Sequence, residues 1–157
     1  MDRHEDIVAE REVIEDVLRG FRDTLDAHLD SHPPYVQQML KYIHDHLFDS
    51  TLAIEEVKKA CRLSNNNITT KFRHSVGLGT REYIRSQRLK VAAAILHKMD
   101  VNIYLVADAV GYTEEAFSKL FKKEYGEPPL HYRQKVLREM DKKNGQEKIL
   151  RKMVKSL

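Results

Sequence analysis

Two short stretches of this chain carry side chains suited to reading the edges of nucleic-acid bases. Asn65, Asn66, Thr69, Thr70 and Arg73 form the first set, and Glu115, Ser118, Lys119 and Lys122 form the second. Asparagine can bond adenine bidentately, and arginine and lysine reach guanine. Threonine bonds a base or touches the thymine methyl, and a carboxylate accepts from cytosine N4. An ordinary solvent face has much the same composition, so one such set decides nothing. The case for recognition rests on there being two, held by repeated elements.

The repeat appears when residues 51–83 are slid forward by 49 positions. Ile54 then meets Ile103, Val57 meets Val106 and Ala60 meets Ala109. Ser64 meets Thr113, Phe72 meets Phe121, Gly77 meets Gly126 and Tyr83 meets Tyr132. Each copy reads as a short helix, a tight turn and a second helix opened by a hydroxyl residue, then a glycine and a further helix. Ile54, Val57 and Ala60 give the first helix a narrow inward face. Gly111 sits where the turn needs a positive φ. Ser64 and Thr113 are placed to cap the second helices. Ile68 with Phe72, and Phe117 with Phe121, anchor those helices at i,i+4 and turn the polar sets outward.

Between the copies, Thr80–Met99 reads as one long helix of roughly 30 Å, against about 34 Å for a turn of B-DNA. Such a spacer sets the two second helices in successive major-groove segments and leaves the duplex to bend. Upstream, Asp2 to about Leu29 reads as an amphipathic helix with Ile7, Ile14, Val17, Leu18, Phe21, Leu25 and Leu29 on its stripe. Its stripe is too long to leave in water, so it packs on the body or pairs two chains as a homodimer. His32-Pro33-Pro34 breaks it, and a second helix follows from about Tyr35 to Phe48.

The fold expected is all-α: two helix-turn-helix lobes joined by a long central helix, plus an N-terminal helix. Its parts are an acidic head (1–34), a double helix-turn-helix unit (35–134) and a basic helical tail (135–157). Their charges are −6, +4 and +5, so the total of +3 conceals an acidic head on a basic body. That asymmetry suits a polyanion partner.

Other classes are disfavoured. Gly77-Leu78-Gly79 starts like a dinucleotide fingerprint, but Glu82 takes the third glycine position and no strand precedes it. Cys61 aligns with apolar Val110, which makes it a buried structural thiol rather than a nucleophile. His44 and His46, two apart on a helix, point in different directions and make no metal pair. No catalytic group, metal or cofactor is therefore expected, and neither a membrane span nor a secretory signal is visible, which suits the cytoplasm. The alternative reading is a helical protein-interaction module that does not bind DNA.

The residues also resemble the AraC/XylS family of bacterial transcription regulators over about residues 36–133. The most specific run is Ala109-Val110-Gly111-Tyr112, then Phe117-Ser118-Lys119-Leu120-Phe121-Lys122, Gly126, Pro129 and Tyr132-Arg133. The resemblance implies seven helices in two lobes and a single chain reading an asymmetric duplex site. Contact with RNA polymerase is the further partner of such a regulator. Some positions depart from the family pattern. Lys58 replaces a usual alanine, so its stem must snorkel, and Arg62 stands where lobe two has Gly111. Thr80 replaces a common proline, and the Gly111–Phe121 interval is one residue shorter than usual.

Asn66 is the sharpest single test of this reading. Alanine there should cost about 1–3 kcal/mol of duplex affinity and relax preference at one base pair, as measured by titration against a panel of single-base variants.

Overall fold

The computed structural model describes residues 3–63, 67–98 and 100–156. In chain order the helices are α1 (Arg3–Asp26), α2 (Pro34–Asp45), α3 (Ile54–Ala60), α4 (Ile68–Val76), α5 (Thr80–Lys98), α6 (Ile103–Ala109), α7 (Glu114–Tyr125) and α8 (Pro129–Lys155). A 3-10 turn at Leu29–Ser31 joins α1 to α2, and no strand occurs among the described residues. The protein is all-α. Prolines open α2 and α8 at their first positions, where a missing N–H costs nothing. None of these helices is long and apolar enough to cross a membrane.

Two cores form, and α5 enters both. Its Tyr83 and Ile84 join Val36, Met39, Leu40, Ile43, Leu47, Val57, Ile68 and Phe72 in lobe one. Further along, Leu89, Val91, Ala92, Ile95 and Leu96 join Val106, Ala107, Val110, Phe117 and Phe121 in lobe two. Two helix ends differ from the sequence reading. The N-terminal helix stops at Asp26 and tightens into the 3-10 turn, and α2 stops at Asp45 rather than Phe48. Past Asp45 the carbonyls of Leu47 and Asp49 turn to the guanidinium of Arg88 instead of continuing the ladder.

The N-terminal helix lies across both lobes. Ile14 and Leu18, each 2% exposed, sit in the core of lobe two, and Phe21 reaches both cores. Leu25 and Leu29 pack on lobe one. The stripe offered for pairing is thus largely spent within the chain. A buried network pins its far end. The Nδ1–H of His44 donates to the Asp26 carboxylate at 2.8 Å, and its Nε2 accepts the Tyr83 hydroxyl at 2.6 Å. Because a carboxylate can only accept, the partners dictate this tautomer. Lys41 adds a bond to Asp26 at 2.9 Å.

The two lobes share a plan but not its quality. Each turn closes with the same bond, Leu63 N–H to Lys58 O at 2.8 Å and Tyr112 N–H to Ala107 O at 2.9 Å. In lobe two the left-handed residue is Gly111, at φ +94; in lobe one it is Arg62, at φ +55. Asn102 caps α6 by accepting from the Tyr104 N–H at 2.8 Å, whereas Ala53 at the start of α3 has no side chain to do so. Leu105, Val106 and Ala107 of α6 are buried under α1, α5 and α7, but in α3 only Val57 is. Lys58, matching Ala107, is half-buried, and Ala60 is exposed rather than inward.

These contacts govern how stability responds to pH and to substitution in lobe one. Burial holds the pKa of His44 below its ordinary value, against the pull of Asp26. Burial would raise that of Asp26, but its bonds from Lys41 and His44 leave it lowered. The unfolded chain then takes up the His44 proton more readily, so stability falls as pH drops through about 6.5. Asp26 adds a loss only below its ordinary 3.8. Denaturant titrations should show this decline between about pH 7 and 5, and His44→Gln should flatten it. Second, Arg62→Gly should stabilise the protein by about 0.5–1 kcal/mol, the left-handed strain relieved less the extra chain entropy of glycine. Ala53→Ser should add about 1 kcal/mol by supplying the missing cap, both read from denaturation midpoints.

Candidate nucleic-acid interface

The second helix of each lobe is bolted down by aromatic packing. In α4, Ile68 is 5% exposed and Phe72 fully buried, with Phe72 meeting the Tyr83 ring edge-on at 5.9 Å. In α7, Phe117 and Phe121 are fully buried, and Phe121 stacks on Tyr125 at 4.5 Å and meets Tyr132 at 5.2 Å. Both helices end alike: the N–H of Gly77 bonds Arg73 O and that of Gly126 bonds Lys122 O, each at 2.8 Å. The Thr113 hydroxyl caps α7 by accepting from the Ala116 N–H at 3.2 Å. Its counterpart Ser64 lies outside the described residues, as do Asn65 and Asn66.

Of the first set, Thr69, Thr70 and Arg73 are exposed on α4. They line an open groove of about 500 Å³ with Ile54, Gly79, Thr80, Arg81 and Glu82. The Arg73 guanidinium folds back over Gly79 and lies 3.7 Å from the Glu82 carboxylate. Both side chains are well exposed, so this pair is weak and a stronger anion can displace it. Of the second set, Glu115, Lys119 and Lys122 are exposed on α7, while Ser118 is half-buried. Glu115 and Lys119 pair at 3.3 Å across one helical turn.

The groove also holds Arg81, which sequence reading did not single out. A signal was present, since a cation in the first turn of α5 opposes the helix macrodipole. The two helices differ in charge. Among its residues α4 carries Lys71 and Arg73 and no carboxylate, while the three lysines of α7 are balanced by Glu114, Glu115 and Glu124. The lone cysteine is buried, as its alignment suggested. Cys61 is 6% exposed, its thiol points at the Gln38 carbonyl at 3.6 Å, and burial pushes its pKa up.

The pairing of two such lobes about one shared helix is matched in known proteins. A helix-turn-helix domain family matches residues 58–135. The regulatory protein SoxS of Salmonella typhimurium is 31% identical over 107 residues, which is 68% of this chain and 99% of that protein. The Msm operon regulatory protein of Streptococcus mutans is 32% identical over 65% of this chain, but the match spans only 37% of its own length. Among solved structures, the C-terminal domain of AraT, a response regulator from Geobacillus stearothermophilus, superposes with a TM-score of 0.62 at 29% identity. That superposition covers 66% of this chain and 86% of the domain. With its repeated lobes, their shared helix and a relative matched almost end to end, this chain belongs to the AraC/XylS family of DNA-binding transcription regulators.

Proposed function

We propose that the chain regulates transcription by reading an asymmetric duplex site with α4 and α7 in successive major-groove segments. The observation that carries this is the matched construction of the two helices about α5. Its 19 residues span roughly 28 Å, against about 34 Å for a turn of B-DNA, so binding bends the duplex toward the protein. Residues 35–134 form the reading unit, flanked by the acidic 1–34 and the basic 135–157. In lobe one, Asn65, Asn66, Thr69 and Thr70 read bases, while Arg73 leaves Glu82 for a base or phosphate. In lobe two, Glu115, Ser118, Lys119 and Lys122 do the reading.

The charge difference between the helices gives the lobes different roles. The groove of α4, with Arg73 and Arg81, supplies much of the phosphate attraction. The α7 helix contributes little net charge and more discrimination, because its glutamates repel a wrongly placed phosphate. No catalytic step, metal or cofactor enters this reading, and the protein acts in the cytoplasm beside its DNA. Contact with RNA polymerase would use solvent-facing helix surfaces away from α4 and α7. A homodimer through α1 would have to use its exposed side, around Val8 and Val13, since Ile14 and Leu18 are buried in the chain's own core.

Selection of bound duplexes from a random pool should return two unlike sequence blocks about one helical turn apart. Inserting about five base pairs between them should drop affinity toward the non-specific level, because one block then faces away. Full affinity after that insertion would replace the two-lobe reading with binding through one dominant lobe. No retention on duplex DNA at all, rather than an affinity that falls about 10³–10⁵ between 50 and 200 mM salt, would favour the protein-interaction module.

A further inference from the structure

Arg88 occupies the seam where the two lobes meet. It lies midway along α5, is 5% exposed, and has no carboxylate partner among the described residues. Its Nε donates to the Leu47 carbonyl at 2.7 Å and its Nη2 to the Asp49 carbonyl at 2.6 Å, both in the segment that leaves α2 of lobe one. The other side of the guanidinium faces lobe two, with its carbon 4.9 Å from the centre of the Tyr112 ring. The turn of lobe two is cut to fit it. A Cβ at Gly111 would lie 3.0 Å from the Phe48 carbonyl and 3.1 Å from the Arg88 guanidinium carbon. One planar cation thus holds two carbonyls of one lobe and an aromatic face of the other. A rigid fork can do this, and a lysine with its single ammonium cannot.

We infer that Arg88 is the positioning residue that sets the separation and rotation of the two reading helices, and so the spacing that the protein accepts between its two DNA blocks. This rests on the two-lobe reading above. A purely hydrophobic seam would slide, because apolar burial is non-directional. Two short bonds and a stacked ring define an angle. Arg88 touches no DNA in this scheme. It acts through the Leu47–Asp49 segment and the Gly111–Tyr112 turn.

The test compares the full chain with Arg88→Met, which keeps the length of the stem and removes the fork. Affinity is measured for duplexes with the selected spacing, with one base pair added or removed, and with a single block. The unaltered protein should lose about tenfold for each one-base-pair change, which rotates a block by roughly a tenth of a turn. Arg88→Met should bind the best site more weakly and lose less than about threefold on respacing, with single-block affinity unchanged. A second readout needs no DNA. Spin labels on cysteines introduced at His74 and Lys123, in a Cys61→Ala background, should give a narrow distance distribution that Arg88→Met broadens. Tyr112→Leu, which removes the ring from the guanidinium and keeps an apolar side chain against the lobe-two core, should broaden it in the same sense, and it stands in if Arg88→Met fails to fold. Unaltered spacing penalties and an equally narrow distribution in the folded variants would overturn the inference. If the unaltered protein binds no duplex, the two-lobe reading fails, while the label distances still report on Arg88.

Discussion

Of the nineteen residues of α5, eleven are buried, and they point to every side of the helix. A helix apolar on one stripe can lie on a surface, but one buried all round must be enclosed. The two lobes are what enclose it. Neither has enough apolar surface of its own: lobe one without Tyr83 and Ile84, or lobe two without the Leu89–Leu96 run, would be a few short helices around an unfilled gap. The spacer is therefore no inert rod between finished domains. It is the common core of both, and the relative placement of α4 and α7 follows from the packing that makes the protein fold.

The price of burying α5 is that its polar residues need partners inside the protein. Arg88 finds its partners in the chain leaving α2, which is why α2 ends early. Tyr83 finds His44, and His44 finds Asp26, so a helix outside the double helix-turn-helix unit becomes part of its support. Burial and the Asp26 charge push the Tyr83 hydroxyl up to about 12, which keeps it a donor at any physiological pH. With Ile14 and Leu18 in one core and Leu25 on the other, α1 spans the seam from outside while Arg88 spans it from within. The acidic charge of α1 falls mostly on its solvent side, where it costs little and repels other polyanions from that face.

Lobe one is the less well built of the pair, with an uncapped α3, a non-glycine residue in left-handed backbone and a lysine where lobe two buries an alanine. It is also the lobe whose second helix, α4, carries the excess positive charge. The two facts are compatible, because α1, α2 and the His44 network hold lobe one through contacts that the turn itself does not supply. The His32 ring adds one more, bonding the Ser75 hydroxyl at 2.8 Å and tying the 3-10 turn to the end of α4. Such outside support lets the turn tolerate Arg62 at φ +55.

Much of this was legible in the residues alone, because much of it is local. The 49-residue repeat, the anchoring pairs Ile68–Phe72 and Phe117–Phe121, the Thr113 cap and the glycine at the lobe-two turn all depend on spacings of a few residues along one helix or turn. Sequence order states such spacings directly. The division of the α1 stripe between two cores could not be read this way, nor could the early end of α2 or the exposure of Ala60. Neither could Arg88, which in sequence is one more cation in a helix rich in them. Each of these depends on residues far apart in the sequence being brought together, and on which side of α5 each lobe closes. The residue types decided what each helix could bury and what it could present to solvent. The tertiary structure decided which partner each buried group would meet, because a hydrogen bond or a packed ring needs its partner within a few ångströms, and only the closed fold sets those distances.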